Sequence, residues 1–502
     1  TGKSNAVYHL LDEITKNGQT TFLVVEPAKG EYKNVFGNCT DVQVFGTNPR
    51  ETPLLRMNPF AFPENIHILE HIDRLVEIFN ACWPMYAAMP AVLKDAIERS
   101  YQKVGWDLRN SESEKGVFPT FFDLLDILPG VIEESHYSKD TQSDYVGALC
   151  TRVKSLTNGI YGSVLCAEDA LTDEALFDRN VIVDLSRVGS METKSLLMGI
   201  LVMKLQEYRM CSSGMNSRLR HVTVLEEAHN LLRKTSAEQS QEGANLQGKS
   251  VEMLANAIAE MRTYGEGFII ADQAPGLLDM SVIRNTNTKI ILRLPDEEDR
   301  KLVGKSAALK EAQIDELSKL PLGVAAVYQN EWPEAGLCKI EAYPMPENAV
   351  YHKPSKMPHE INAEFVFGQL AVGKELEPLS ISEMEQLKLW LKRHETVLKP
   401  EDDRYLERVF AGGELDVAKT RKAVFDFFGG IGTVVDYCAA AKKSLTPRKE
   451  FLEQLQGQYG LKAAAADWVL NSVISMGMSL NPDAKAVDNL RTNFEQQGGR
   501  VL

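Results

Sequence analysis

The first five residues, Thr1-Gly2-Lys3-Ser4-Asn5, have types and spacing suited to holding phosphate. They match the back half of G-x-x-x-x-G-K-[ST], a loop whose backbone N–H groups cradle a nucleotide's phosphates. In that pattern Lys3 reaches the β- and γ-phosphates, and Ser4 places its hydroxyl on Mg²⁺. Ala6, Val7, Leu10, Leu11 and Ile14 recur at helical spacing, so the loop opens a helix. The start of a helix offers unpaired N–H groups and a partial positive charge, which suit a triphosphate. The first glycine of the pattern and a strand leading into it are not in the sequence. The 502 residues are therefore expected to belong to a longer chain. A G-K-S tripeptide also arises in surface loops, so the assignment needs partners elsewhere.

Hydrolysis at such a loop needs an anchor for Mg²⁺, a group that orients the attacking water, and a positive charge on the γ-phosphate. His221-Val222-Thr223-Val224-Leu225-Glu226-Glu227-Ala228-His229 is an apolar strand ending in an acidic pair. Glu226 would hold Mg²⁺ through water, and Glu227 would polarise the hydrolytic water. The first position of such a pair is usually Asp, and Glu226 is one methylene longer. A solvated acidic pair after an edge strand is the plainer alternative. Gln273, in Ile270-Ala271-Asp272-Gln273-Ala274-Pro275, is placed to sense the γ-phosphate, unless it only forms a turn before Pro275. Arg262 lies just ahead of the same strand and is the candidate for a positive charge lent to a neighbouring subunit. Arg284 and Arg293 are rivals, and any of the three could equally be a surface ion-pair partner. ATP and Mg²⁺ are the cofactors that this set implies.

Other residues carry less. His67 and His71 have the i, i+4 spacing of a metal pair, but no third ligand accompanies them, so a helix surface is expected. Cys150 and Cys166 read as core residues. Lys29 and Glu31 sit either near nucleotide or DNA, or in a simple turn.

The elements that must position these groups are strands alternating with helices. Apolar runs at 20–26, 181–185, 222–225, 267–271, 289–294 and 323–328 read as strands, with a short one at 42–45. Helical patterns separate them, including 66–104 (broken by Pro84 and Pro90), 191–210 and 251–261. This predicts an α/β fold of βαβ units on a mainly parallel central sheet, and the resemblance given below makes that a RecA-like P-loop NTPase. The ATPase domain is expected over 1–343, with a mostly helical insertion at 50–165 and a polar surface insertion at 234–249. A proline-rich linker is expected at 344–358 and a small, mainly helical module at 359–502. That module includes helices at 383–398, from Thr446-Pro447, and at 461–474.

A net charge of −15 argues against a surface that binds nucleic acid all over, while leaving room for a local basic strip such as the lining of a pore. Seven scattered cysteines without C-x-x-C spacing suggest neither zinc nor disulfides and fit a reducing cytoplasm. No run approaches the roughly 20 apolar residues of a membrane span.

Taken together, T-G-K-S-N, F-L-V-V-E-P-A-K-G-E-Y, V-I-V-D-L-S, V-L-E-E-A-H-N-L-L, M-R-T-Y-G-E-G-F-I-I-A-D-Q-A-P and I-I-L-R-L resemble the HerA branch of the HerA/FtsK ATPase superfamily. The resemblance covers residues 1 to about 340 and extends to type IV secretion and conjugation ATPases. It implies a RecA-like ATPase that forms a homo-hexameric ring and drives DNA through its pore. It also implies an effector such as a nuclease, in DNA end processing or bacterial defence against phage. By position, Thr1 to Asn5 and Glu226 would bind nucleotide, with Ser4 and Glu226 on Mg²⁺. Glu227, Gln273 and Arg262 would be catalytic. The alternatives are a secretion or conjugation motor, and a nucleotide-sensing scaffold with weak hydrolysis.

Overall fold

The structure is a computed structural model. It describes residues 2–16, 20–86, 88–113, 116–167, 170–235, 246–345, 349–353, 404–406, 408–409, 416–444, 446–459 and 463–501. Thr1, the predicted helix at 383–398 and most of the predicted insertion at 234–249 lie outside these residues. The chain divides into two compact units, one of residues 1–112 and 118–353, the other of 113–117 and 354–502.

The first unit is built on five parallel strands. They are β1 (Thr21–Glu26), β2 (Val42–Gly46), β3 (Asn180–Asp184), β4 (His221–Glu226) and β5 (Glu266–Ala271), in the order β2-β3-β1-β4-β5. Their apolar runs reflect burial on both faces. Phe22, Val24, Ile182 and Val224 face one side, where they pack with Val7, Tyr8 and Leu11 of helix α1 (Lys3–Thr15). Leu23, Val25, Val181, Val183 and Leu225 face the other, against a large helical core. The period of two in the strands thus sorts side chains between two cores. Helix Met191–Ser212 crosses from β3 to β4 and is buried on nearly every side, with Lys204, Glu207 and Arg209 among its buried residues.

Register fixes the functional edge. Glu26 stands opposite Asp184, Val25 opposite Leu225, and Glu226 opposite Ala271. Because every strand runs the same way, Glu26, Asp184, Glu226 and the turn after Ala271 share one carboxyl edge.

Three expectations need correction. The runs at 289–294 and 323–328 do form strands, Thr288–Ile291 and Val324–Gln329, but not in the parallel sheet. With Gly336–Lys339 they make a separate antiparallel sheet. Only residues 330–335 join the last two strands, too short a link for a parallel crossover. The helical pattern is broken between Ile68–Cys82 and Met89–Lys103 as expected, but Pro90 lies inside the second helix, in its first turn, where a missing N–H costs nothing. His71 is not on a helix surface. It is fully buried in helix Ile68–Cys82, with Nδ1 2.9 Å from Glu207 Oε2. His67 caps that helix, its Nδ1 accepting from the Leu69 N–H.

The second unit holds helices Val417–Phe427, Gly430–Ala441, Pro447–Tyr459, Ala463–Leu480 and Ala484–Gln496 around Phe425, Phe427, Tyr437, Leu470 and Ile474. Among the described residues, no single helix is long and apolar enough to cross a membrane.

β5 is tied to its neighbours by charge. Glu266 accepts from Arg209 Nε at 2.9 Å and lies 2.7 Å from His221 Nδ1, all three side chains being almost wholly buried. Truncating Glu266 to Ala would remove the buried partner of His221 and one of the two carboxylates on Arg209, leaving Asp178 at 2.7 Å. The expected loss is about 3–5 kcal/mol, read by denaturant unfolding.

Candidate functional site

The site forms where α1 meets the carboxyl edge of the sheet. Gly2 precedes the helix with φ 92°, a left-handed conformation that a side chain would oppose. That turn brings Lys3 onto the edge. Its ammonium lies 2.6 Å from Glu227 Oε1 and 3.0 Å from Glu226 Oε2. Burial works against the lysine's charge, but the two carboxylates outweigh it and raise its pKa. Burial likewise pushes the Glu227 carboxyl up, and the hydrogen bonds from Lys3 and Gln273 more than reverse this, so it is held below its usual range.

Gln273 Nε2 donates to the same Glu227 Oε1 at 2.6 Å. It follows directly on the end of β5, next to the strand that bears Glu226. The turn is shaped by Asp272, whose Oδ1 accepts from the Ala274 N–H and whose Oδ2 accepts from the His229 N–H, each at 2.9 Å. Glu227 has φ 45° and ψ 51°, a left-handed backbone that a residue with a side chain adopts at a cost. The conformation turns the chain out of β4 into the short helix Ala228–Asn230. Lys3, Glu226, Glu227 and Gln273 are therefore in direct contact, although 270 positions separate the first from the last.

The remaining predicted residues are placed differently. Ser4 is in the first turn of α1. Asn5 faces away to another part of the chain: its Nδ2 donates to the Glu341 carbonyl at 2.8 Å, and its Oδ1 accepts from the Tyr343 N–H at 2.7 Å. Arg262 is exposed in the short helix Met261–Tyr264. It lines a cavity of about 500 Å³ along the outer edge of β5, whose walls also include Lys3, Val7, Leu10, Asp272 and Ile290. Arg284 is exposed at the end of helix Met280–Asn285. Arg293 is engaged elsewhere, donating from Nε to the Leu320 carbonyl at 2.9 Å. Lys29 and Glu31 are 3.8 Å apart at the surface, and Lys29 has a left-handed φ of 67°.

Several groups at this edge were not read from the sequence. Tyr32 is buried and its hydroxyl donates to Glu226 Oε1 at 2.6 Å. Glu26 accepts from the N–H groups of Glu31 and Tyr32 at 2.8 and 3.1 Å. Burial pushes its pKa up to about 8, against the pull of those two N–H groups. Asp184 is neutralised by Lys33 at 2.6 Å. The available signal was the polar run Glu26 to Lys33 directly after a buried strand, which marks a turn at a sheet's carboxyl edge.

The donor set suits Mg²⁺, a hard cation that takes oxygen ligands. Two carboxylates and a nearby helix-start serine supply such oxygens. The Lys3 ammonium between the carboxylates already shows that the pair accepts a cation.

A parallel sheet of this order, with a G-K-S helix start and an acidic pair on its carboxyl edge, defines the fold of a P-loop NTPase. No family model matches the chain. It is 25% identical over 357 residues to the DNA double-strand break repair helicase HerA of Sulfolobus acidocaldarius, covering 68% of this chain and 63% of that protein. It is 22% identical over 371 residues to a probable helicase of Methanocaldococcus jannaschii, covering 68% and 64%. The chain thus spans under two thirds of the length of these curated relatives. Among solved structures it resembles VirB4 of Thermoanaerobacter pseudethanolicus with a TM-score of 0.52 and 19% identity, covering 68% of this chain and 87% of that one. The likeness to VirB4 is one of fold, and the two helicase likenesses do not single out a family member.

Glu26 yields a pH test. Between the ordinary carboxyl value of 4.5 and about 8, the unfolded chain has released a proton that the folded protein retains. The carboxyl's contribution to stability therefore falls as pH rises through that window. Glu26→Gln, which cannot ionise, should flatten the fall in melting temperature between pH 5 and pH 8.

Proposed function

We propose that this chain is an ATP-hydrolysing motor subunit that acts on DNA in the cytoplasm. In this reading it works as a homo-hexameric ring that moves DNA through its pore and serves an effector such as a nuclease, in DNA processing or defence against phage. The observation that carries the ATPase reading is the contact of Lys3, Glu226, Glu227 and Gln273 at one sheet edge. The DNA reading leans on the likeness to the two helicases.

The groups have distinct tasks. With nucleotide bound, Lys3 leaves the carboxylates for the β- and γ-phosphates. By their place in the sequence motif Thr1, Gly2 and Asn5 would add backbone N–H groups to the cradle for the same phosphates. Ser4 and Glu226 would hold Mg²⁺, which screens the phosphate charge. Glu227, kept ionised by its surroundings, orients the attacking water and takes its proton. Gln273 now donates to Glu227, and the γ-phosphate competes for the same amide, so this side chain can report which ligand is present. Arg262, exposed beside the cavity, is the positive charge offered across a subunit boundary.

Two variants test this. Lys3→Ala should abolish nucleotide binding. Glu227→Gln should keep binding but lower turnover by about 10²–10⁴-fold, the usual share of a general base. Normal turnover in purified Glu227→Gln protein would refute the assignment. Arg262→Ala should lower turnover by about 10³-fold or more if the arginine acts in trans. Mixing it with Glu227→Gln subunits should then restore part of the activity.

The likeness to VirB4 favours a second reading, a conjugation or type IV secretion motor. Stimulation of turnover by duplex DNA alone supports the DNA motor. Activity only with an envelope complex supports the second.

A further inference from the structure

We propose that Tyr32 is a positioning residue for Glu226, and that its hydroxyl is what lets a glutamate serve where a shorter carboxylate is usual. The inference rests on the nucleotide reading above and concerns how that site holds its metal.

Glu226 has one more rotatable bond than aspartate, so its carboxylate can point in more directions. Two contacts remove that freedom. Oε1 accepts from the Tyr32 hydroxyl at 2.6 Å, and Oε2 lies 3.0 Å from the Lys3 ammonium. When Lys3 moves to the phosphates, its contact is lost and the one from Tyr32 remains. Oε2, the oxygen that faced Lys3, then stays aimed at the nucleotide side, ready for a metal-bound water.

Tyr32 is itself held from three directions. Its backbone N–H donates to Glu26 Oε2 at 3.1 Å, which fixes the start of helix Tyr32–Phe36 to the end of β1. Its ring meets Tyr8 of α1 edge-to-face, with centroids 5.0 Å apart. It is 1% exposed, so water does not compete for the hydroxyl.

The test uses the purified chain, its Tyr32→Phe and Glu226→Asp variants, and the double variant. Phenylalanine keeps the ring and removes only the donor. Nucleotide binding is titrated with Mg²⁺ and with EDTA, beside turnover against Mg²⁺ concentration. Tyr32→Phe should raise the Mg²⁺ requirement and lower kcat, each by about tenfold, the loss expected of one charge-assisted hydrogen bond. Binding in EDTA should stay within about twofold of the parent, since Lys3 and the loop are intact. Aspartate at 226 withdraws the carboxylate from the hydroxyl, so the double variant should need no more Mg²⁺ than Glu226→Asp alone. A wild-type Mg²⁺ requirement in Tyr32→Phe would overturn the proposal and leave the ATPase reading standing. So would a parallel loss of binding in EDTA, the mark of a merely structural role, or strict additivity in the double variant. A parent chain that binds no nucleotide would remove the ATPase reading and this inference with it.

Discussion

One ammonium among carboxylates organises the functional edge. Parallel pairing brings Glu26, Asp184 and Glu226 to the same end of the sheet, with Glu227 one residue beyond. Buried acids so close together are costly unless each is compensated. Glu26 accepts from two backbone N–H groups while burial holds its proton on, Asp184 is met by Lys33, and the Glu226-Glu227 pair by Lys3. The first two compensations are internal to the 26–33 turn and its neighbouring strand. The third comes from a different helix, and its cation is the one that a polyphosphate would draw away. The acidic pair at the edge is thus balanced by a cation from outside its own strand.

The sheet itself was legible because its strands are apolar on both faces. The runs around Val24, Ile182 and Val224 could be nothing but buried parallel strands, and each ends in the polar residues that matter. The later runs misled because Thr288–Ile291 is half exposed and Val324–Gln329 only partly buried, and hydrophobic content alone does not reveal pairing direction. Likewise His71 looked like a surface residue by spacing, since its partner Glu207 comes from a helix 136 positions away.

The site was legible to the extent that its chemistry lies in short motifs. Lys3, Glu226, Glu227 and Gln273 each sit beside a recognisable strand end or helix start. Tyr32, Asp272 and His229 were harder to see. Their roles depend on side chains meeting across strands, and a buried tyrosine has the same sequence signature as any packing aromatic. Asn5 shows the opposite case: it lies within the phosphate-binding motif, yet its side chain is committed to a distant backbone.

That commitment has a mechanical consequence. Asn5 grips the chain at both Glu341 and Tyr343, His9 from the next turn lies 3.0 Å from the Glu341 carbonyl, and Tyr8 meets the Tyr343 ring edge-to-face. A helix fastened in this way cannot slide or tilt at its loaded end without pulling residues 341–343 along. These residues lead on, along the polypeptide, to the stretch that begins the helical unit. A displacement of α1 is thereby passed to residues 341–343, so the helix that bears Lys3 and the segment after the antiparallel sheet move as one piece.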